Sequence, residues 1–214
     1  MPEISHTLSC PDCEGIVSRH AMSCPHCGTP SSLTTGETRR INWLELTDES
    51  NLAGENLEGA NLTRADLSGE ELTEAVLCNA DLSQANLYRA KLTGADLSNA
   101  NLTGADLTDA NLAGANLSGA NLQNTNLDSA NLNGANLSLA NLYRSCLATA
   151  QLTADLSFTN LHYADLSKAN LTGAKLNRAD LTRAQLLGAN LTDADFTRAR
   201  FCETAMPDGD IRTD

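Results

Sequence analysis

Leucine returns every five residues along most of this chain. It occupies positions 52, 57, 62 and 67, continues without a gap to 152, resumes at 156 and runs on to 191, and Phe196, Phe201 and Met206 complete the series. The residue two before each Leu is usually Ala, as at Ala60, Ala65, Ala80, Ala85, Ala95 and Ala100. The residue just before it is mostly Asn or Asp, the one after it mostly Ser or Thr, and the next is Gly or polar. Neither regular element has this period. Five helical residues advance ~500°, so successive Leu would drift by ~140° and make no stripe. Along a strand an odd repeat would put Leu on alternate faces. Each unit must therefore contain a turn that resets the chain and keeps Leu inward. That is the logic of a solenoid, whose core is completed only by stacking on neighbouring turns. The second inward position has to be small, hence Ala.

Composition narrows the picture. The 214 residues include only one Trp, three Tyr and three Phe, which excludes a conventional aromatic-anchored core, and the formal net charge is −13. No apolar run approaches the ~18 residues of a membrane span. No basic start followed by an apolar stretch marks a secretion signal. These features predict a cytoplasmic chain with no membrane association. The acidic balance argues against direct nucleic-acid binding and favours solubility or basic partners.

The run ADLSNANLTGADLTDANLAGANLSGANL at 95–122 resembles the pentapeptide-repeat family, and the resemblance extends over 51–206. It implies an all-β fold, a right-handed quadrilateral parallel β-helix with four pentapeptides per coil. Thirty-two units then make about eight coils, a rod of roughly 38 Å at the usual inter-strand spacing. Asn and Asp side chains are expected to bond neighbouring backbone at the corners and to form ladders between coils.

The first 28 residues differ. Cys10-Pro-Asp-Cys13 and Cys24-Pro-His-Cys27 form two C-x-x-C pairs ten residues apart. Two such knuckles complete a tetrahedral four-thiolate site, which resembles a short zinc ribbon holding structural Zn2+, with rubredoxin-like iron as the other metal. The site is closed, so catalysis is not expected from it, and His20 and His26 are read as exposed. Residues 29–50 are a linker and cap, in which Trp43, Leu44 and Leu46 are candidates to cover the open end of the solenoid. The predicted organisation is a 1–28 zinc-ribbon-like module, a 29–50 linker and cap, a 51–206 repeat domain and a 207–214 polar tail.

Within a rod, function shows as departures from the rule. Glu55 and Glu70 stand where Ala should point inward, and an unpaired buried carboxylate is costly, so the first coils should relax locally. Residues 51–109 carry ten acidic and three basic side chains, whereas 160–206 carry five and six. The phase slips between Leu152 and Leu156, where one residue after Thr153 is missing; a shortened corner is predicted. Counting 19 residues for the coil across the slip and 20 elsewhere places Leu139, Tyr143, Arg144, Phe158, His162, Tyr163 and Arg183 together as an outward interaction patch. Cys78, Cys146 and Cys202 are unpaired, and no base lies beside them in the sequence.

No nucleophile motif, phosphate loop or open metal site is present, so no enzyme is predicted. The leading reading is a monomeric, rod-like scaffold or protein-interaction module with a structural zinc ribbon and a protein partner. The alternative, which the family resemblance brings, is an acidic DNA mimic that modulates a type II topoisomerase, gyrase. Those relatives resemble dimers joined through an apolar carboxy-terminal helix, which the tail PDGDIRTD does not match.

Overall fold

The computed structural model describes residues 52–213 together with Leu8–Ser9 and Ile16–Val17. The chain divides into two compact units, Met1–Ser50 and Asn51–Asp214. In the first, strands β1 (Leu8–Ser9) and β2 (Ile16–Val17) pair antiparallel, Leu8 opposite Val17 and Ser9 opposite Ile16. In sequence they bracket the segment with Cys10 and Cys13. Cys10, Cys13, Cys24, Cys27, His20, His26 and the candidate cap at Trp43, Leu44 and Leu46 lie outside the described residues.

The second unit is built from turns. Each Leu carbonyl except that of Leu152 accepts the N–H three residues on, as Ala60 N–H donates to Leu57 O at 3.0 Å. The third residue of the turn has positive φ, +64° at Gly59 and +68° at Gly104, as a type II turn requires. After the turn the chain extends for one bridging residue, then Leu turns inward again. Asn56 bridges Val76, Asn61 bridges Asp81, Asp66 bridges Asn86 and Glu71 bridges Lys91, all parallel and all 20 residues apart. Four pentapeptides therefore make one four-sided coil. The pairing is by single-residue bridges, not long strands, because a turn follows every bridge.

Three backbone bonds tie each side to the next coil: Leu57 N–H donates to Val76 O at 2.7 Å, Gly59 N–H to Cys78 O at 2.9 Å, and Val76 N–H to Glu55 O at 2.9 Å. The axis is filled by Leu side chains from Leu62 to Leu186, which are essentially fully buried, with the Ala column beside them. Four polar residues replace Ala and stay buried. The hydroxyls of Thr125, Ser145, Thr159 and Thr204 donate to the carbonyls of Leu102, Leu142, Leu156 and Leu181 at 2.6–2.8 Å. Their burial thus leaves no donor unmet. The two carboxylates at this position behave differently from an inward side chain: Glu55 is exposed and Glu70 half-buried. Their carbonyls keep the ladder, accepting from Val76 and Lys91 N–H at 2.9 Å.

At the slip the four-residue turn becomes a three-residue one, in which Ala154 N–H donates to Leu152 O at 2.7 Å. The register changes to 19 for Asn136–Asp155, Asn141–Asn160, Cys146–Asp165 and Gln151–Asn170, then returns to 20 at Asp155–Lys175. Leu152 and Leu156 remain fully buried. The deletion is absorbed at one corner, and the ladder runs through it.

The last coil ends in a hairpin. Strand β3 (Thr204–Ala205) pairs antiparallel with β4 (Ile211–Arg212). The segment read from sequence as a polar tail folds back, and the Arg212 guanidinium lies 4.0 Å over the buried Phe201 ring. Leu191 and Phe196 stay half-buried there.

Candidate interaction surface

The side chain before each Leu does two jobs. Asn101 Oδ1 accepts the Thr103 N–H at 3.2 Å, which fixes the turn, while its Nδ2 donates to Asp81 Oδ1 at 3.0 Å, one coil away. The same pairing links Asn116 to Asp96, Asn131 to Asn111 and Asn160 to Asn141. Inward and ladder positions are thereby committed to the rod. Only the two turn residues after each Leu are free to vary outward.

Tyr143 and Arg144 form one such turn, His162 and Tyr163 the next in the same column, and Thr182 and Arg183 the third. Arg144 N–H donates to His162 O and Tyr163 N–H to Thr182 O. The His162 and Tyr163 rings stack at 4.4 Å and 7°, and both meet Tyr143 edge-on at 5.8 and 5.9 Å. Arg144 lies over the Tyr143 ring at 5.2 Å and the Tyr163 ring at 5.5 Å. Arg183 lies over Tyr163 at 5.5 Å, donates to its hydroxyl, and forks onto Glu203 at 2.7 and 3.3 Å. Glu203 and the Tyr163 hydroxyl hold the Arg183 guanidinium well above its usual range, and Arg183 in turn holds Glu203 below its own. His162 Nε2 is buried with no hydrogen-bond partner among the described residues.

Leu139 and Phe158 belong to the preceding corner. Leu139 N–H donates to Ser157 O, and Phe158 N–H to Asn177 O, so the column runs Leu139, Phe158, Arg178. Leu139 is 67 % and Phe158 47 % exposed, and Tyr163 on the next corner 38 %. The Arg178 guanidinium covers the Phe158 ring at 5.3 Å. The seven residues singled out in the sequence thus fall into two columns on neighbouring corners. Arg178 and Glu203 were missed, although the same 20-residue count from Phe158 and Arg183 reaches both. Exposed Leu187, on another corner, was missed as well.

Other titratable groups serve the rod. Lys91 bonds Glu71 at 2.8 Å, which lowers the Glu71 carboxyl and raises the Lys91 amine, and Lys175 pairs with Asp155 at 3.6 Å. Burial pushes Asp81 and Asp155 up, but hydrogen bonds from Ser83 and Ser157, with other partners, outweigh it and leave both carboxyls below their ordinary range. Cys78 is raised by burial and by Glu58 and Asp96, the opposite of a reactive thiolate. Among the described residues no group of three His, Cys, Asp or Glu is placed to hold a metal ion. Nor is any helix there long and apolar enough to cross a membrane.

A four-sided coil of stacked pentapeptides, closed by parallel bridges every 20 residues, defines a β-helical solenoid. The family model for pentapeptide repeats matches eight copies over residues 48–69, 71–109, 105–144, 154–186 and 170–206. The chain belongs to this family, and its coil is the right-handed quadrilateral β-helix. Among solved structures it is similar to HetL, a pentapeptide repeat protein involved in heterocyst differentiation regulation in the cyanobacterium Nostoc sp. strain PCC 7120. That likeness has 37 % identity over 73 % of this chain and 81 % of that one, with a TM-score of 0.43. It is also similar to Rfr23 of the cyanobacterium Cyanothece 51142, at 28 % identity over 72 % and 86 % of the two chains and a TM-score of 0.31. QnrB1, a plasmid-mediated fluoroquinolone resistance protein, has 20 % identity over 78 % and 83 % and a TM-score of 0.47. No curated protein matches the chain.

Proposed function

We propose that this protein is a non-enzymatic scaffold that binds a partner protein through the outward corners of its rod, with a structural Zn2+ in a four-cysteine ribbon at its amino end. The observation that carries the first part is the grouping on two neighbouring corners of three of the five large apolar side chains exposed among the described residues. Ladder and axis positions are spent on the coil, while Leu139, Phe158 and Tyr163 stand outside it. Tyr and Arg are the side chains that dominate interface energetics. Capture experiments with the intact chain and with a Phe158→Ser/Tyr163→Ser variant test this. The variant should lose a partner that the intact chain retains. Retention of every partner removes the patch from the reading, and an intact chain that captures nothing removes the reading itself.

The donor chemistry fits zinc. Cys10, Cys13, Cys24 and Cys27 are four soft ligands in two knuckle spacings, with no open position for substrate. Bound there, the ion would tie together a segment too small for a hydrophobic core. Elemental analysis should return one zinc per chain. Iron, or no metal, would contradict the assignment.

A second reading has one observation in its favour, the ten acidic and three basic residues of 51–109. It makes the acidic half a DNA mimic acting on a type II topoisomerase. Inhibition of gyrase supercoiling by the intact chain would support it, and unaltered supercoiling would dismiss it.

A further inference from the structure

Two neighbouring corners carry bulky turn residues in the later coils. At the first, the turn residue of positive φ is Gly59, Asn79, Asn99 and Gly119 in the early coils, then Leu139, Phe158, Arg178 and Arg198. At the second it is Arg64, Gln84, Gly104 and Asn124, then Arg144, Tyr163, Arg183 and Glu203. Gly and Asn adopt this backbone most easily, and bulky side chains adopt it with strain. At the first corner only the later coils carry bulky residues; at the second, Arg64 and Gln84 are bulky too, and the series resumes at Arg144 after Gly104 and Asn124.

The cations divide into paired and unpaired ones, and Lys168 and Arg200, off these corners, also lack an ion pair among the described residues. Lys91, Arg89 and Lys175 each pair with a carboxylate one coil away, on Glu71, Asp109 and Asp155. Arg183 is committed to Glu203. Arg144, Arg178 and Arg198 are exposed and form no ion pair with any described residue. Two of them rest on rings, Arg144 on Tyr143 and Tyr163 and Arg178 on Phe158. A ring under a guanidinium orders it without using its N–H donors, so those donors remain for a planar anion. Leu139 and Phe158 supply exposed apolar area beside them. The net charge of −13 favours basic partners, but 160–206 carries six basic against five acidic side chains, so the local arginines can select an acidic one by charge complementarity.

We infer that these corners bind an acidic peptide segment of a partner protein, with carboxylates on Arg144, Arg178 and Arg198 and an apolar or aromatic side chain against Leu139 and Phe158. The inference rests on the interaction-module reading above and adds the chemistry of the partner. The net charge of −13 opposes both anions, but it opposes the closely spaced phosphates of a nucleic acid more than the few carboxylates of a short peptide.

Fluorescence anisotropy on the intact protein tests it. The probe is a short fluorescein-labelled peptide of Glu and Ser with one central Trp. The comparisons are the same peptide with Gln for Glu and a labelled single-stranded oligonucleotide. The Glu peptide should bind saturably, more weakly as salt is raised, and the Gln peptide should not. An Arg144→Gln/Arg178→Gln/Arg198→Gln variant and a Leu139→Asn/Phe158→Asn variant should each weaken binding by about tenfold or more. Arg89→Gln, on another corner, should leave it unchanged. Circular dichroism confirms that each variant is folded. No binding of the Glu peptide, equal binding of the Gln peptide, unchanged affinity in the triple variant, or tighter binding of the oligonucleotide overturns the inference. A captured partner that survives the triple variant also overturns it and leaves the interaction-module reading standing. Capture of nothing by the intact chain is the outcome that fails that reading.

Discussion

At the position before each Leu, nine described residues are acidic, from Asp66 to Asp195, and none has an acidic neighbour one coil away. Asp66, Asp81 and Asp96 are each followed by an Asn that donates to them, at 2.9–3.0 Å. Glu71 and Asp155 are followed by a Lys. The ladder needs donors to alternate with carboxylates at a spacing of about 4.8 Å, where like charges repel strongly. Asn101→Asp should therefore destabilise the rod by about 1–2 kcal/mol at neutral pH, through a lost hydrogen bond and a new repulsion. Urea unfolding should show most of that penalty disappear once both carboxyls are protonated. The turn residues give a contrary case. Leu139 has φ +63° and packs nothing inward, so Leu139→Gly should leave stability unchanged or raise it by up to about 1 kcal/mol. His162 Nε2 is buried without a partner among the described residues. Replacing it by the ring of His162→Phe removes an unmet polar group, and the melting temperature should hold or rise.

The pentapeptide is the element, and its period was legible because each unit repeats one inward Leu, one small Ala and one laddering amide. The four-unit coil was not in the period. It came from the family resemblance, and the 20-residue bridges then display it. The slip was legible as a missing residue, and the structure adds the device that absorbs it, the three-residue turn at Leu152–Ala154. Inserting Gly after Thr153 restores the four-residue turn. The insertion should be tolerated, with unfolding free energy changed by no more than about 0.5 kcal/mol, whereas Leu112→Ala, in the fully buried axis, should cost about 2–5 kcal/mol. Other features were hidden for physical reasons. Glu55 occupies an inward position yet is exposed, since an end coil can turn a carboxylate to water while its carbonyl keeps the ladder. The hairpin β3–β4 rests on two-residue strands, too short for any alternating pattern to announce. Arg178 went unnoticed because an exposed Arg has no signature until the column beneath it is known to hold Phe158.

For the whole repeat unit, five carboxyls, those of Glu71, Asp81, Asp155, Asp195 and Glu203, lie below their ordinary range. A depressed carboxyl binds its proton more readily in the unfolded chain, so it contributes stability above the ordinary carboxylate range and loses it as pH falls through the folded value. In high salt, which screens the net charge, the unfolding free energy should decline below about pH 4. Metal removal should act elsewhere. The zinc assignment expects chelation to change the first unit and leave the melting of residues 51–206 unaltered. The most direct test of the division between a committed interior and a functional exterior is a single variant, Leu139→Gly/Arg144→Gly/Phe158→Gly/Arg178→Gly, which gives four turn positions on the two corners the residue found at Gly59, Gly104 and Gly119. Its thermal melt and its partner capture are measured beside those of the intact chain. We expect a rod that melts at the same temperature or higher and captures no partner. Unchanged capture, or a rod that no longer folds, would contradict that division.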